Sequence, residues 1–280
     1  MKLYYRYAGI GDALFVNTFA YLKGEETGEK ILIGTNHPSI FLHNPHVKIL
    51  PFKSRKWLER YIRIFSFFGK KIEPLYLDYG NPGQKHIFDI LTSKTGISAK
   101  PTKPSIFITA QEEGKKIFNK KGKKVIAIQS TGVSGWTDNK NYYLDRYQQI
   151  VDELGKEFDF IQLGQKTDPL LAGVEDFRDS LSLRDVFILM KEIDLFVGQV
   201  GFLMHAAAAV DCPSVIIYGG FEAPWQSGYE NNTNIYSAVA CAPCWKELCP
   251  YNKKCMDIIT ADVVENAIKA KIEVSYSSSS

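Results

Sequence analysis

The sequence predicts an α/β protein built from two Rossmann-like domains that face a cleft. Three observations predict it. Short apolar runs of strand length alternate with segments of helical period, the pattern of parallel strands joined by crossover helices. Glycine turns follow strand-like runs, in YYRYAGIGD near the start and in VGQVGFLMH from Val197. A stretch of mostly Lys, Gly and Asn, 115–124, precedes a fresh strand that opens a second alternating series, as a domain boundary would. The expected domains are residues 1–118 and 119–276.

The elements follow in order. Residues 3–7 and Ile31–Gly34 read as strands, with a helix over 13–21 between them. A basic aromatic helix lies between Lys53 and Lys71, and 106–108 reads as another strand. In the second half, strands are expected at Val125–Gln129, 158–163, 195–197 and 214–218, and helices at 145–154, Leu183–Glu192 and 203–210. Leu183, Val186, Phe187 and Met190 fall on one helix face. Ser182 and Asp185 resemble a capping box in which Asp replaces the usual Glu or Gln.

Bulk properties narrow the classes. Of 280 residues 45% are apolar and 23% charged, enough for a proper core. The net charge of +3 is too small to argue for nucleic acid as a partner. No apolar run of about 18 residues marks a membrane span. Asp12 interrupts what would be a signal-peptide core behind Lys2 and Arg6. A cytoplasmic protein is expected, with the four final serines a tail outside the fold.

In open α/β sheets ligands gather beyond the carboxyl ends of strands, and Gly9–Asp12 occupies that place. Gly11 lets the backbone approach a ligand, and the following helix offers unpaired N–H groups. Asp12 is then either a helix N-cap or a catalytic base. In the second half, VGQVGFLMHAAAAVDCPSVIIYGG reads as strand end, glycine turn, small-residue helix and buried strand. The helix N-terminus suits an anion, close packing is the plainer reading, and His205 reads more readily as structural than as a base. The loop STGVSGWTDNKNYY offers Ser130, Thr131, Gly132, Ser134 and Gly135 as small donors and Lys140 as a cation. Such a set suits a diphosphate, or is a surface loop with a solvated lysine.

CAPCWKELCPYNKKC carries Cys241, Cys244, Cys249 and Cys255. Four thiolates can surround one zinc or iron ion; free thiols or a redox CxxC are the alternatives. Cys212, ahead of Pro213, is expected in the core. The 53–71 stretch has seven basic residues and one acid, Glu59. As a helix it puts Trp57, Tyr61, Ile64, Phe65 and Phe68 on one face beside a stripe of Lys56, Arg60 and Arg63. It is a core helix with a basic edge, or a platform for an anionic or membrane-embedded acceptor.

In this order the pieces resemble glycosyltransferase family 9, the heptosyltransferase family. The GxGD turn is similar to the family's opening motif. The 197–220 stretch resembles its D-S-G-x-x-H-L-A-A-A-x-G-x-P segment, and the cysteine stretch resembles its C-terminal segment. The resemblance implies a GT-B fold, with an N-terminal acceptor domain and a C-terminal nucleotide-sugar domain. It implies an inverting transfer without catalytic metal from a nucleotide sugar, commonly ADP-heptose. The acceptor would be a lipopolysaccharide-type glycan, a glycolipid or a protein, with peripheral contact at the inner face of the membrane among the expectations. Asp12 matches the family's general base, Lys140 its phosphate-binding lysine, and Gly201, Met204 and His205 its helix turn. Gln199-Val200 stands where the family has Asp-Ser, so Gln199 takes the place of the acid expected to bind the donor sugar. That departure keeps open a degenerate GT-B protein that binds nucleotide or a partner without transferring sugar. A metal-binding interaction module built on the cysteines is a third reading.

Overall fold

The computed structural model describes residues 2–6, 9–50, 54–68, 71–132 and 137–277. The chain divides into two compact units, Met1–Gln111 and Glu112–Ser280. The expected boundary at 118/119 thus lies inside the second unit, and side chains of that unit supply the reason. Arg184 donates to Glu112 at 2.7 and 2.6 Å, and Glu192 accepts from the backbone N–H groups of Ile117 and Phe118 at 3.0 and 2.9 Å.

The first unit runs β1 (Lys2–Tyr5), α1 (Ile10–Thr27), β2 (Ile31–Gly34), β3 (Val47–Leu50), α2 (Arg55–Phe67), β4 (Glu73–Tyr76) and α3 (Ile87–Thr95). Its four strands are parallel in the order β3-β2-β1-β4. Gly28 stops α1 by taking φ +68°, a left-handed value that suits glycine, and its N–H reaches Gly24 O. Leu3, Leu32 and Leu50 form one face of the sheet and pack against Leu58 of α2 and Ile72. Trp57, Tyr61 and Phe65 stack along α2 at 5.4 and 4.4 Å and cover this core with Ile62. Ile64 and Phe68, expected on the same face, are instead exposed. Leu58 and Ile62 take the buried arc because they lie about 100–140° round the helix from Trp57.

The stretch 106–108 is not a strand. It leaves the sheet because α1 claims the chain just before it: Asn17 donates to Ser105 O, and Thr18 Oγ1 accepts from Ser105 N, each at 2.8 Å. The fourth place in the sheet belongs to β4, whose sequence EPLY carries no alternation that would mark a strand.

A single turn, α4 (Ala110–Glu113), spans the division between the units. The second unit continues β5 (Val125–Gln129), α5 (Leu144–Leu154), β6 (Asp159–Leu163), β7 (Glu175–Asp176), α6 (Leu183–Glu192), β8 (Leu195–Gln199), α7 (Phe202–Ala209), β9 (Ser214–Gly219), α8 (Pro224–Ser227), β10 (Asn232–Tyr236), α9 (Lys254–Asp257) and α10 (Ala261–Ser277). The parallel order β10-β9-β8-β5-β6-β7 is that of a complete dinucleotide-binding sheet. Strands buried on both faces need continuous apolar runs, and Val125–Ile128 and Val215–Ile217 are fully buried. Ser182 caps α6 by accepting from Asp185 N at 3.1 Å, as the sequence predicts. No described helix is long and apolar enough to cross a membrane.

Asn17 is the polar pin of the first unit. It is fully buried, donates to Ser105 O and accepts from Asn44 Nδ2 at 2.8 Å. Asn17→Ala leaves Ser105 O without this donor and Asn44 with only the Asn17 backbone carbonyl, and should cost about 1–3 kcal/mol of stability, read as a lower denaturant midpoint.

Candidate active site

Each sheet has a point where successive crossovers leave in opposite directions, and there a crevice opens at the strands' carboxyl ends. In the first unit this is between β1 and β4. Arg6 follows β1, Tyr79 lies just beyond β4, and Asp12 is the third residue of α1. The three converge. Arg6 Nε lies 3.0 Å from Asp12 Oδ1, and Tyr79 OH donates to the same oxygen at 2.9 Å. Arg6 stacks over the Tyr79 ring at 4.3 Å and donates to Leu77 O at 2.7 Å. Among the described residues the Nε–H has no well-aligned acceptor, so its contact with Asp12 is that of an ion pair. Burial opposes the Arg6 charge, but Asp12 and Tyr79 outweigh it and raise the guanidinium's pKa overall.

Asp12 is not an N-cap. Gly9 holds that position with no side-chain cap, and Gly11 is the second helical residue. The carboxylate is instead held from outside the helix by Arg6 and Tyr79. Sequence reading missed both partners: Arg6 entered it only with Lys2 as an N-terminal charge, and Tyr79 follows a strand that has no strand-like sequence.

In the second unit the switch point lies between β5 and β8, and most of the expected donor residues gather there. Ser130 and Thr131 follow β5; Gln199 ends β8; Gly201 is the N-cap of α7. Their side chains are largely committed within the protein. Ser130 is fully buried, donates to Pro169 O at 2.9 Å and accepts from Gln162 Nε2 at 2.8 Å. Thr131 Oγ1 donates to Tyr142 O at 3.0 Å. Gln199 Nε2 donates to Asn141 Oδ1 at 2.7 Å, and Gln199 Oε1 accepts from Tyr142 N at 3.3 Å. Asn141 Nδ2 in turn donates to Gly132 O at 2.9 Å and to Asp138 Oδ1 at 3.1 Å. Gln199 is therefore a clamp on the loop ahead of α5, with both ends of its amide already engaged. Ser134 and Gly135 lie outside the described residues.

That loop carries Lys140. Its ammonium pairs with Glu222, lies 4.8 Å from the Phe221 ring centre and is partly accessible. Glu222 is buried, and its other oxygen accepts from Ser227 Oγ at 2.8 Å. An exposed cation with no partner is thus excluded for Lys140. Met204 is fully buried and accepts from Tyr218 OH through its sulfur at 3.4 Å. His205 Nδ1 and Tyr229 OH are 2.7 Å apart in a buried pair, the arrangement of a structural histidine. Gly201 faces open space, with nothing within 4 Å of where a Cβ would stand. Its place at the start of α7 is where backbone N–H groups can meet an anion.

The cysteine segment packs against the same loop. Cys244 N and Trp245 N donate to Gly220 O and Phe221 O at 3.0 and 3.1 Å. Thr137 Oγ1 reaches Glu247 O at 2.7 Å, and Asn139 Nδ2 reaches Lys246 O at 2.5 Å. Gly220 admits the segment: a Cβ there would lie 2.8 Å from Cys255 Cβ and 3.0 Å from Ala242 Cβ. Burial, then the thiols of Cys249, Cys244 and Cys241, push the Cys255 pKa up. Soft thiol donors suit zinc or iron. Yet among the described residues no three His, Cys, Asp or Glu side chains are arranged to hold an ion. Cys212 sits apart in the core, its thiol pushed up to about 12 by burial.

A family model, glycosyltransferase family 9 (heptosyltransferase), matches residues 70–255. The fold is similar to that of a family 9 glycosyltransferase from Veillonella parvula DSM 2008, at 13% identity with a TM-score of 0.78 over 97% of this chain and 96% of that one. The iron-containing dodecameric glycosyltransferase TibC of enterotoxigenic E. coli H10407 matches with a TM-score of 0.75 and 14% identity over 98% of this chain and 76% of its own. ADP-heptose lipopolysaccharide heptosyltransferase II of E. coli matches with a TM-score of 0.72 and 14% identity over 98% and 99%. No curated protein matches the sequence significantly.

The clamp makes a direct prediction. Gln199→Asp removes the donor to Asn141, shortens the side chain by one methylene and leaves a charge in a buried place. It should lower stability by about 1–3 kcal/mol in thermal or denaturant unfolding. An unchanged midpoint would show that the Lys140 loop is held by its other contacts alone.

Proposed function

The chain belongs to glycosyltransferase family 9 and has the GT-B fold, and from that premise we propose that it transfers a heptose-like sugar from a nucleoside diphosphate donor to a hydroxyl of a lipopolysaccharide-type glycan or of a protein. The observation that carries the reading is Asp12, a carboxylate held by Arg6 and Tyr79 at the switch point of the first sheet. ADP-heptose, the donor in the name of the E. coli relative, is the first donor to test.

In this reaction Asp12 takes the proton of the acceptor hydroxyl as its oxygen attacks the anomeric carbon. The bond from that carbon to the diphosphate breaks on the opposite face, the diphosphate leaves with the electron pair, and the configuration inverts. Arg6 and Tyr79 fix the carboxylate's position, so a base is presented without rotamer search. The leaving charge meets Lys140 and the backbone N–H groups at the start of α7. Ser130, Thr131 and Gln199 act indirectly, by holding the loop that carries Lys140.

A structural zinc or iron is also proposed for Cys241, Cys244, Cys249 and Cys255, on the strength of their donor chemistry and spacing in one short segment and of the iron in TibC. It would replace hydrogen bonds as the brace of the segment behind Lys140, and would require the four sulfurs to draw together. No step of transfer runs through it.

One observation favours a second reading. The Gln199 amide is engaged internally where the family presents an acid to the sugar, so this chain binds a nucleotide without transferring sugar in that reading.

The deciding experiment is turnover of ADP-heptose and other nucleotide sugars by wild type and Asp12→Asn. Transfer should fall about 10²–10⁴-fold in the variant with nucleotide affinity kept. Nucleotide binding without turnover in wild type would establish the second reading. Elemental analysis of protein purified without added metal should find about one zinc or iron per chain, and metal-free protein with four titratable thiols would remove the metal.

A further inference from the structure

The outward side of α2 combines exposed apolar rings with cations. Its inward arc, Leu58 with Trp57, Tyr61, Ile62 and Phe65, packs on the sheet core. Its outward arc and its C-cap expose large apolar side chains: Ile64 is 49% exposed and Phe67 87%, and Phe68, just past the helix, is 72% exposed. The two phenylalanine rings meet edge to face at 5.6 Å and form one protruding apolar tip. Lys56, Arg60 and Arg63 are exposed on the same arc, within about 100° of Phe67 by helical geometry. Ser54 caps the helix by accepting from Trp57 N at 3.2 Å, so the tip and the cations are held on a formed helix.

The charge is segregated as well. Seven basic residues and one acid fall between 53 and 71, while the whole chain nets only +3. The rest of the chain is therefore net negative, and the positive charge is concentrated where the aromatic rings protrude. Apolar side chains ringed by cations on an exposed helix match a bilayer whose surface is anionic: the rings enter the boundary of the acyl chains while the cations meet lipid phosphates. Neither a purely aqueous surface nor a neutral apolar partner accounts for both features.

We infer that α2 is a membrane-docking element, with Phe67, Phe68 and Ile64 inserting at the surface of an anionic phospholipid bilayer and Lys56, Arg60 and Arg63 contacting its headgroups. The contact is peripheral and reversible, since one short helix face gives weak partitioning. This inference concerns location and does not depend on the transfer reading; vesicle binding is measured without any sugar donor.

The test is co-sedimentation of the full chain with phosphatidylcholine vesicles, with and without phosphatidylglycerol. Binding should require phosphatidylglycerol and weaken in high salt. Arg60→Ala with Arg63→Ala should weaken it about 20–30-fold, from about 1 kcal/mol for each cation near an anionic surface. Phe67→Ser with Phe68→Ser should abolish it, while thermal unfolding stays unchanged because both rings are exposed. Three outcomes would overturn the inference: no binding at low salt, binding to both vesicle types alike, or binding that survives the phenylalanine substitutions. So would self-association in light scattering that the same substitutions abolish, since the tip would then be an interface between copies of this chain.

Discussion

The amide pair Gln199–Asn141 organises the second unit's site. One hydrogen bond joins the end of β8 to the loop that precedes α5, and a second, from Tyr142 N, closes the other side of the same amide. Asn141 passes the restraint on to Gly132 and Asp138. Lys140 stands immediately before Asn141, so its backbone is fixed by a network whose members are mostly buried. Buried amides must find partners or destabilise the fold by about 1–3 kcal/mol each. The same necessity that satisfies them sets the place of the cation.

The two units solve one problem twice. A parallel sheet whose crossovers diverge leaves a crevice at its carboxyl edge, and each unit fills the margin of that crevice with a polar constellation. In the first it is a carboxylate between a guanidinium and a phenol. In the second it is an ammonium against a buried carboxylate, with a helix N-terminus nearby. The first unit partly buries its charged group with one positive and one neutral partner. The second places its cation on a loop braced from behind by the cysteine segment, through Thr137 and Asn139.

Much of this was legible in the residues. Buried parallel strands such as Val125–Gln129 announce themselves because both faces need apolar side chains. The Ser182 cap follows from local chemistry, and Asp12 and Gly201 stand where glycine turns after strand ends place them. What was not legible depended on partners distant in sequence. β4 is a strand because β1 offers it an edge, and Glu73-Pro74 conceals it. The 106–108 run has strand composition but is claimed by Asn17 and Thr18 of α1. Gln199 reads as a sugar contact until Asn141, 58 residues earlier, takes its amide. Arg6, Tyr79 and Glu222 carry no motif; each matters only through the charge it meets.

The Lys140–Glu222 pair gives the second site a resident anion. If a diphosphate binds there as proposed, it does not meet a waiting positive charge but competes with a carboxylate that burial and Ser227 keep in position. Any anion that takes Lys140 therefore takes part in an exchange, and its affinity reflects the difference between two ion pairs. The exchange runs both ways. On the proposed role of Lys140, Glu222 stands ready to take the lysine back when the ligand leaves, so the residue that would weaken entry would also favour departure.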